Sequence, residues 1–239
     1  MPQRIEFDQP RPIVLSDRLT DIPGGWKEID VAVCDDNFRL TVPADPDAFL
    51  EDQATQTAHL RDGSMPYWPY LWPAALWMAR AVTIADRLPA GPALELGCGI
   101  GLVGLTLLSR GIELTFSDYE QTAVETSLHN ARRHGFSSAE GVVIDWRSVR
   151  LPKKYSLLVG CDVTYDMANH EPILALVEQT LSTGGSGWFG DPGRQHTEHF
   201  IELARQRGYD VELLDKGARR VSDPCVAEFR LIVLRASPG

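Results

Sequence analysis

The sequence predicts an α/β fold of three layers: helices on both faces of a parallel, doubly wound sheet, with a closing antiparallel strand and an N-terminal β-hairpin extension. Three observations carry this. From Gly91 onward, short apolar runs alternate with helical stretches of about 10–15 residues, the pattern of a parallel sheet with crossover helices. A glycine-rich turn, Gly97-Cys98-Gly99-Ile100-Gly101, follows the first of those runs and opens the first helical stretch. The last two apolar runs leave little room for a helix between them, which implies a hairpin and an antiparallel strand at one edge of the sheet.

Taken in order, Trp26–Val33 and Asn37–Val42 alternate around Cys34-Asp35-Asp36 and read as a hairpin. Pro43 to Asp47 breaks the chain ahead of a short helix carrying Phe49 and Leu50. Ala93–Leu96 is a short apolar strand and Leu102–Ser109 a buried helix. Ile112–Ser117 is the second strand of the sheet, followed by a helix over Gln121–His134 with small and apolar residues on one face. Gly141–Ile144 and Ser156–Cys161 are the third and fourth strands, Pro172–Leu181 a helix, and Gly187–Gly190 a strand bracketed by glycines. Thr197–Arg207 is helical, and Tyr209–Leu214 and Glu228–Leu234 form the closing pair. The composition shift divides the chain into a β-rich extension, residues 1–65, and a ligand-binding domain, residues 66–239.

The chain has 239 residues, 44% of them hydrophobic and 23% charged, so it can bury a large core and is neither disordered nor collagenous. Its formal net charge of −10 repels polyanions and argues against a phosphate-tracking nucleic-acid binder. Cys34, Cys98, Cys161 and Cys225 are scattered without a C-x-x-C pair, so reduced, mostly buried thiols are expected and neither a disulfide scaffold nor a zinc ribbon. No leader-like or membrane-spanning apolar run is seen, which predicts a soluble cytoplasmic protein. His196 and His199 lie one helical turn apart with no third ligand nearby, and read as a solvated helix face, so no metal site is expected. Arg132-Arg133 and Arg219-Arg220 read as surface charge.

The glycine turn is the strongest chemical signal. Glycines there let the backbone turn tightly and let a ligand approach without Cβ obstruction. The dinucleotide fingerprint would put its third glycine at position 102; Leu102 stands there, and the third glycine comes one residue early, at Gly101. No G-K-[ST] follows, which excludes a P-loop. About 20 residues on, Asp118 ends the second strand, where a carboxylate can accept both ribose hydroxyls of an adenosine. Asp145, followed by Trp146, ends the third strand, where an acid can accept from an adenine amino group and an aromatic can cover the ring. Each acid standing alone also suits helix N-capping. Together, at the carboxyl ends of successive strands, they fit a crevice for an adenosine derivative.

Glu95-Leu96-Gly97-Cys98-Gly99-Ile100-Gly101, with Asp118 and Asp145, resembles class I S-adenosylmethionine-dependent methyltransferases over about residues 66–234. The early glycine and the terminal hairpin agree with that family and not with nicotinamide dehydrogenases. The resemblance implies the Rossmann-like seven-strand sheet with an antiparallel last strand. It also implies S-adenosyl-L-methionine as cofactor, held by Trp72, Glu95, Gly97, Cys98, Gly99, Gly101, Asp118, Tyr119, Asp145, Trp146 and Cys161. Met65-Pro66-Tyr67-Trp68-Pro69-Tyr70-Leu71-Trp72-Pro73-Ala74-Ala75 and the tetrad Asp162-Val163-Thr164-Tyr165 are similar to the D-x-x-Y protein-lysine methyltransferases. Gly190-Asp191-Pro192-Gly193-Arg194 resembles the branch that acts on the β subunit of electron transfer flavoprotein.

That resemblance implies that Asp162 receives and orients the acceptor amine while Tyr165 walls or hydrogen-bonds it. Trp72 should lie against the methionine end of the cofactor, and Tyr67 and Trp68 should border a lysine channel. The partner implied is a protein substrate, with nucleic acid and membrane not expected. Three rival readings stay open: a small-molecule methyltransferase, a nucleic-acid methyltransferase, and a binding module without activity. The tetrad, which is not of the N-P-P-[YF] type, disfavours base methylation; the retained glycines and acids disfavour a bare binding module.

Overall fold

The computed structural model describes residues 9–16, 18–62, 65–222 and 228–236. Cys225 lies outside the described residues. In chain order the elements are β1 (Arg11–Pro12), β2 (Trp26–Val33), β3 (Asp36–Pro43), α1 (Ala48–Glu51), α2 (Gln53–Asp62), α3 (Pro73–Ile84), β4 (Ala93–Leu96), α4 (Leu102–Ser109), β5 (Leu114–Asp118), α5 (Gln121–Arg133) and β6 (Glu140–Val143). There follow β7 (Tyr155–Cys161), a 3₁₀ turn (Met167–Asn169), α6 (His170–Thr180), β8 (Leu181–Asp191), α7 (Thr197–Gln206), β9 (Tyr209–Asp215), β10 (Arg220–Val221) and β11 (Arg230–Ala236). The main sheet runs β1-β6-β5-β4-β7-β8-β11-β9-β10, with β2 and β3 forming a sheet of their own.

The strands β6, β5, β4, β7 and β8 are mutually parallel, and β11 pairs antiparallel with both β8 and β9. The long antiparallel strand β11 is therefore inside the sheet, not at its edge as the closing hairpin suggested; the edges are the two-residue strands β1 and β10, antiparallel to β6 and β9. The reason is local. Leu231 to Leu234 is apolar without interruption and buried throughout, as an interior strand must be, whereas β9 keeps a half-exposed pattern. Strand β8 begins at Leu181, six residues before the glycine-bracketed run, because the exposed Thr183 and Gly184 carry no alternation to reveal it. Helices α2 and α3 and strand β1 also lie outside the elements picked out by periodicity.

Period-2 alternation sorts the strand side chains into two cores. Phe116, Leu157, Val159, Leu231 and Val233 pack on the α3–α4–α5 face. Leu94, Leu158, Phe189, Ile232 and Leu234 pack under α6 and α7. The hairpin joins the first of these through Val31, Phe38 and Leu40. Each such side chain taken fully from water contributes about 1.5–3 kcal/mol. The carboxyl ends of β4, β5, β6 and β7 consequently open on one side of the molecule, where parallel sheets place their ligands.

Candidate active site

A cavity of about 390 Å³ opens there, and all thirteen residues singled out in the sequence line it, from Trp72 to Tyr165. Its floor is the glycine turn. Gly97, Gly99 and Gly101 have φ of +66°, +50° and +89°. A Cβ at Gly97 would stand 2.8 Å from Val163 Cγ1, and one at Gly101 2.7 Å from Ser127 Oγ, so neither place accepts a side chain. The turn is held from below by α5, whose contribution the motif does not disclose. Ser127 donates to the Gly99 carbonyl at 3.1 Å. The fully buried Asn130 amide donates to the carbonyls of Ile100 and Thr41, both at 3.1 Å, and accepts from Thr41 N–H at 2.8 Å. One side chain thus ties the glycine turn to the hairpin.

Glu95, near the end of β4, is buried beneath α4, and its Oε2 has no hydrogen-bond partner among the described residues. Burial pushes its carboxyl up to about 8; the Gly104 N–H pulls the other way, and the Asp118 charge adds to the rise. Asp118 accepts from Gly99 N–H at 3.1 Å and Glu120 N–H at 3.0 Å, and burial holds its carboxyl above the usual range. It caps no helix. Three glycines that clear a path, a carboxyl at the cleft for hydroxyls, and an orphaned buried oxygen for a cation fit an adenosine joined to an amino acid.

Asp145 lines the cavity next to Trp146. Its carboxylate is already gripped by Arg147, through Nε at 2.8 Å, Nη2 at 2.9 Å and the backbone N–H at 2.9 Å. The Arg147 guanidinium also stands 5.6 Å from the Tyr119 ring centre. Trp146 donates to Asn169 Oδ1 at 3.2 Å and turns its ring toward Gly97. Burial pushes the Cys98 and Cys161 thiols well up, so neither is a nucleophile near neutral pH. Of the expected buried thiols, Cys98 is buried, Cys161 half-buried and Cys34 exposed.

The opposite wall carries the D-x-x-Y residues. Asp162 follows β7 with φ +56°, a left-handed backbone that aspartate tolerates better than most side chains. Its N–H donates to the Gly190 carbonyl at 2.7 Å, and its side chain is only 7% exposed. Arg194 holds the carboxylate bidentately, Nε to Oδ1 at 2.8 Å and Nη2 to Oδ2 at 3.1 Å. Asp166, not Asp162, caps the following 3₁₀ turn, accepting from Ala168 N–H.

Tyr165 meets Tyr67 edge-on at 5.5 Å, and Tyr67 meets Trp72 at 6.0 Å. Trp72 also donates to the Tyr67 carbonyl at 3.0 Å. Tyr70 ties this aromatic segment to the turn ahead of α1 by donating to Asp47 at 2.6 Å, the bond that most raises its phenol, to about 12. Trp68 lines the cavity too, with its ring largely buried against Phe49 at 5.3 Å and Trp26 at 6.3 Å.

His199 is not simply solvated. Its Nδ1 lies 3.0 Å from Nδ1 of the fully buried His170, whose Nε2 faces the Thr164 carbonyl at 2.8 Å. A carbonyl only accepts, so His170 Nε2 carries the proton and His199 Nδ1 donates to His170 Nδ1. Arg219 and Arg220 are surface charges, paired with Asp215 and Glu212. Among the described residues no cluster of metal-ligating side chains is present, and no helix is long and apolar enough to cross a membrane.

Comparison with known proteins agrees with this geometry. The small-subunit ribosomal RNA methyltransferase C of Actinobacillus pleuropneumoniae is 32% identical over 110 residues, which is 42% of this chain and 32% of that protein. The chain therefore spans about a third of that relative's length. A TehB-like S-adenosylmethionine-dependent methyltransferase from Corynebacterium glutamicum superposes with TM-score 0.57 at 19% identity, over 81% of this chain and all of the other. The N-methyltransferase NodS of Bradyrhizobium japonicum, solved with S-adenosylhomocysteine, gives 0.56 at 18% identity over 76% and 98%. These two likenesses establish the α/β methyltransferase fold. The lysine methyltransferase family profile matches residues 68–204, more than half of the sequence and nearly the whole stretch from the aromatic segment through α7. This chain belongs to the lysine methyltransferase family.

Proposed function

We propose that the chain transfers a methyl group to the ε-amine of a lysine in a protein substrate. The observation that carries the reading is Asp162: an ordered carboxylate at the rim of the cleft, beside the ring edges of Tyr165 and Tyr67. S-adenosylmethionine, when bound, supplies an electrophilic methyl group on a sulfonium. Gly97, Gly99 and Gly101 would give it room, Asp118 would accept from its ribose, and Glu95 would receive its ammonium. Trp72 would lie beside the amino-acid end.

The protein's own part is then alignment and dehydration of the acceptor. At an unperturbed pKa near 10.4 only about one lysine in 10³ is neutral at pH 7. Aromatic walls disfavour the charged amine, while Asp162 accepts one of its N–H bonds and fixes the direction of its lone pair. No strong general base is required, since the proton can leave to water.

Charge supports a cationic acceptor. Six carboxyl groups line the cavity (Glu95, Asp118, Glu120, Asp145, Asp162 and Asp166), against the guanidinium of Arg147 as the one basic group among the described lining residues. With Glu95 raised to about 8 and Arg147 and Arg194 offsetting Asp145 and Asp162, the remaining excess of acids in the cleft still favours a lysine over RNA phosphates. Met65, Tyr67 and Tyr165 line the mouth and are exposed, the side-chain types found at protein-binding surfaces. The Gly190–Arg194 segment makes the electron transfer flavoprotein β subunit the first substrate to try.

The test is radiolabelled S-adenosylmethionine with that subunit, with nuclease-treated lysate protein, and with ribosomal RNA. Methyllysine in a protein hydrolysate supports the reading, and label confined to RNA or metabolites overturns it. Asp162→Asn keeps the left-handed backbone accessible and should cut transfer at least about 100-fold while cofactor affinity stays nearly constant.

A further inference from the structure

We propose that Arg194 is a positioning residue for methyl transfer, one that fixes the Asp162 carboxylate and offsets its charge so that the acceptor amine can lose its proton in the cleft. The inference rests on the lysine reading of the site.

The guanidinium is itself aimed by a buried assembly. Asp191, fully buried at the end of β8, accepts from the N–H groups of Gly193 and Arg194 at 2.8 and 2.9 Å and from Thr197 Oγ1 at 2.7 Å. Arg230, 2% exposed on β11, donates Nε to Asp191 at 3.2 Å and Nη2 to the Arg194 carbonyl at 2.7 Å. The backbone of Arg194 is therefore held at both its N–H and its C=O before its side chain reaches Asp162. Two planar N–H bonds then fix the orientation of a carboxylate that sits on a left-handed residue. Burying an Asp191–Arg230 pair is costly unless fully bonded, and one Arg230 nitrogen, Nη1, has no partner among the described residues. Stability alone is a poor account of such a pair.

A lone carboxylate at the acceptor position would hold a lysine as its ammonium, the unreactive form. The other groups facing this position do nothing to relieve that. Glu95, Asp118, Asp166 and Asp191 are acids, Cys161 and the two phenols of Tyr67 and Tyr165 carry no positive charge, and Arg147, the cation lining the cavity, is committed to Asp145. Arg194 is the cation in contact with Asp162, and it also stands 6.0 Å from the Tyr165 ring centre. With its charge in place, Asp162 can accept a hydrogen bond from a neutral amine without tethering a charged one.

The experiment compares wild type, Arg194→Gln and Arg194→Lys in methyl transfer to nuclease-treated lysate protein, scored as methyllysine between about pH 6.5 and 9.5. Cofactor affinity and Tm are measured alongside. Arg194→Gln should lower kcat at pH 7 by about tenfold or more and move the acid limb of the pH profile alkaline by about one unit. Arg194→Lys should return the limb toward wild type, since the charge is restored, while recovering only part of the rate because the fork is lost. Cofactor affinity should hold within about twofold. A uniform fall at every pH, with Tm reduced and the limb unmoved, makes Arg194 a structural brace and overturns the proposal. An unchanged rate overturns it as well. If wild type forms no methyllysine, the lysine reading fails first and this inference falls with it; if methyllysine forms and the limb stays put, only the inference fails.

Discussion

Glu95 shows how much a single residue can be read and how much cannot. Its place two positions before Gly97 in the glycine motif is visible in the sequence, but its state is not. That state depends on α4 lying over it and on Gly104, whose absent side chain leaves its Oε2 room: a Cβ there would come within 2.4 Å. Raised to about 8, the carboxyl is protonated at pH 7 in the ligand-free protein. An ammonium at the free oxygen favours the anion, so cofactor binding at pH 7 should expel up to about one proton. Calorimetry in buffers of different ionisation enthalpy reads this directly, and Glu95→Gln should abolish the buffer dependence. An equal slope in both proteins would assign the proton elsewhere. The sign for stability follows from the same shift. Between the ordinary 4.5 and about 8 the folded chain binds more protons than the unfolded one, so ligand-free stability falls as pH rises across that window. Glu95→Gln should flatten that slope. Asp162 is legible in the same partial way: its position follows from the end of β7, but its pairing with Arg194, 32 residues later, does not.

At the scale of elements, what periodicity marks is the strand or helix whose two faces differ. It finds α5 for that reason, and passes over α3, which carries Pro73 at its start and is apolar on nearly every side. The contacts between elements are where sequence goes silent. Asn130 reads as one polar residue on α5, yet it bridges β3 and the glycine turn. Gly104 reads as a weak point in a helix, yet it lets α4 close onto the sheet. A Cβ at that position would lie 2.2 Å from Phe116 Cε1 and 2.6 Å from Leu114 Cδ2, besides meeting Glu95. Both apolar neighbours are fully buried strand residues and have no room to yield. Gly104→Ala should therefore push α4 off β4 and β5, costing about 1–3 kcal/mol despite the higher helix propensity of alanine. It should also weaken cofactor binding, because the amino end of α4 is the glycine turn. Denaturant unfolding and calorimetry on the one variant check both; a Gly104→Ala protein as stable as wild type would mean the helix rides higher than the structure shows.

At the scale of the molecule, the sheet's parallel half is readable from the alternation of strands and helices, whereas the place of β11 is written only in its unbroken apolar run. A hairpin states which strands are neighbours in sequence; only burial on both faces states which lies inside. The charge of −10 is likewise a property of the whole chain, and the structure adds that acids concentrate where the ligands go. Even with Glu95 protonated and Arg147 and Arg194 offsetting Asp145 and Asp162, acids stay in excess in the cleft, and its low-dielectric aromatic walls focus their negative potential outward. For a basic protein or peptide acceptor, that field accelerates encounter more than it changes the chemistry once the lysine is seated. Raising ionic strength from about 0.02 M to 0.3 M shortens the Debye length from about 20 Å to 6 Å and should lower kcat/KM about tenfold, with kcat nearly constant. The split between the two constants is the discriminating readout. If kcat/KM for a lysine-bearing substrate stays flat while kcat falls, the field acts inside the site, on the amine and on Asp162. If kcat/KM rises with salt, the acceptor is an anion and the cleft's charge has been repelling it.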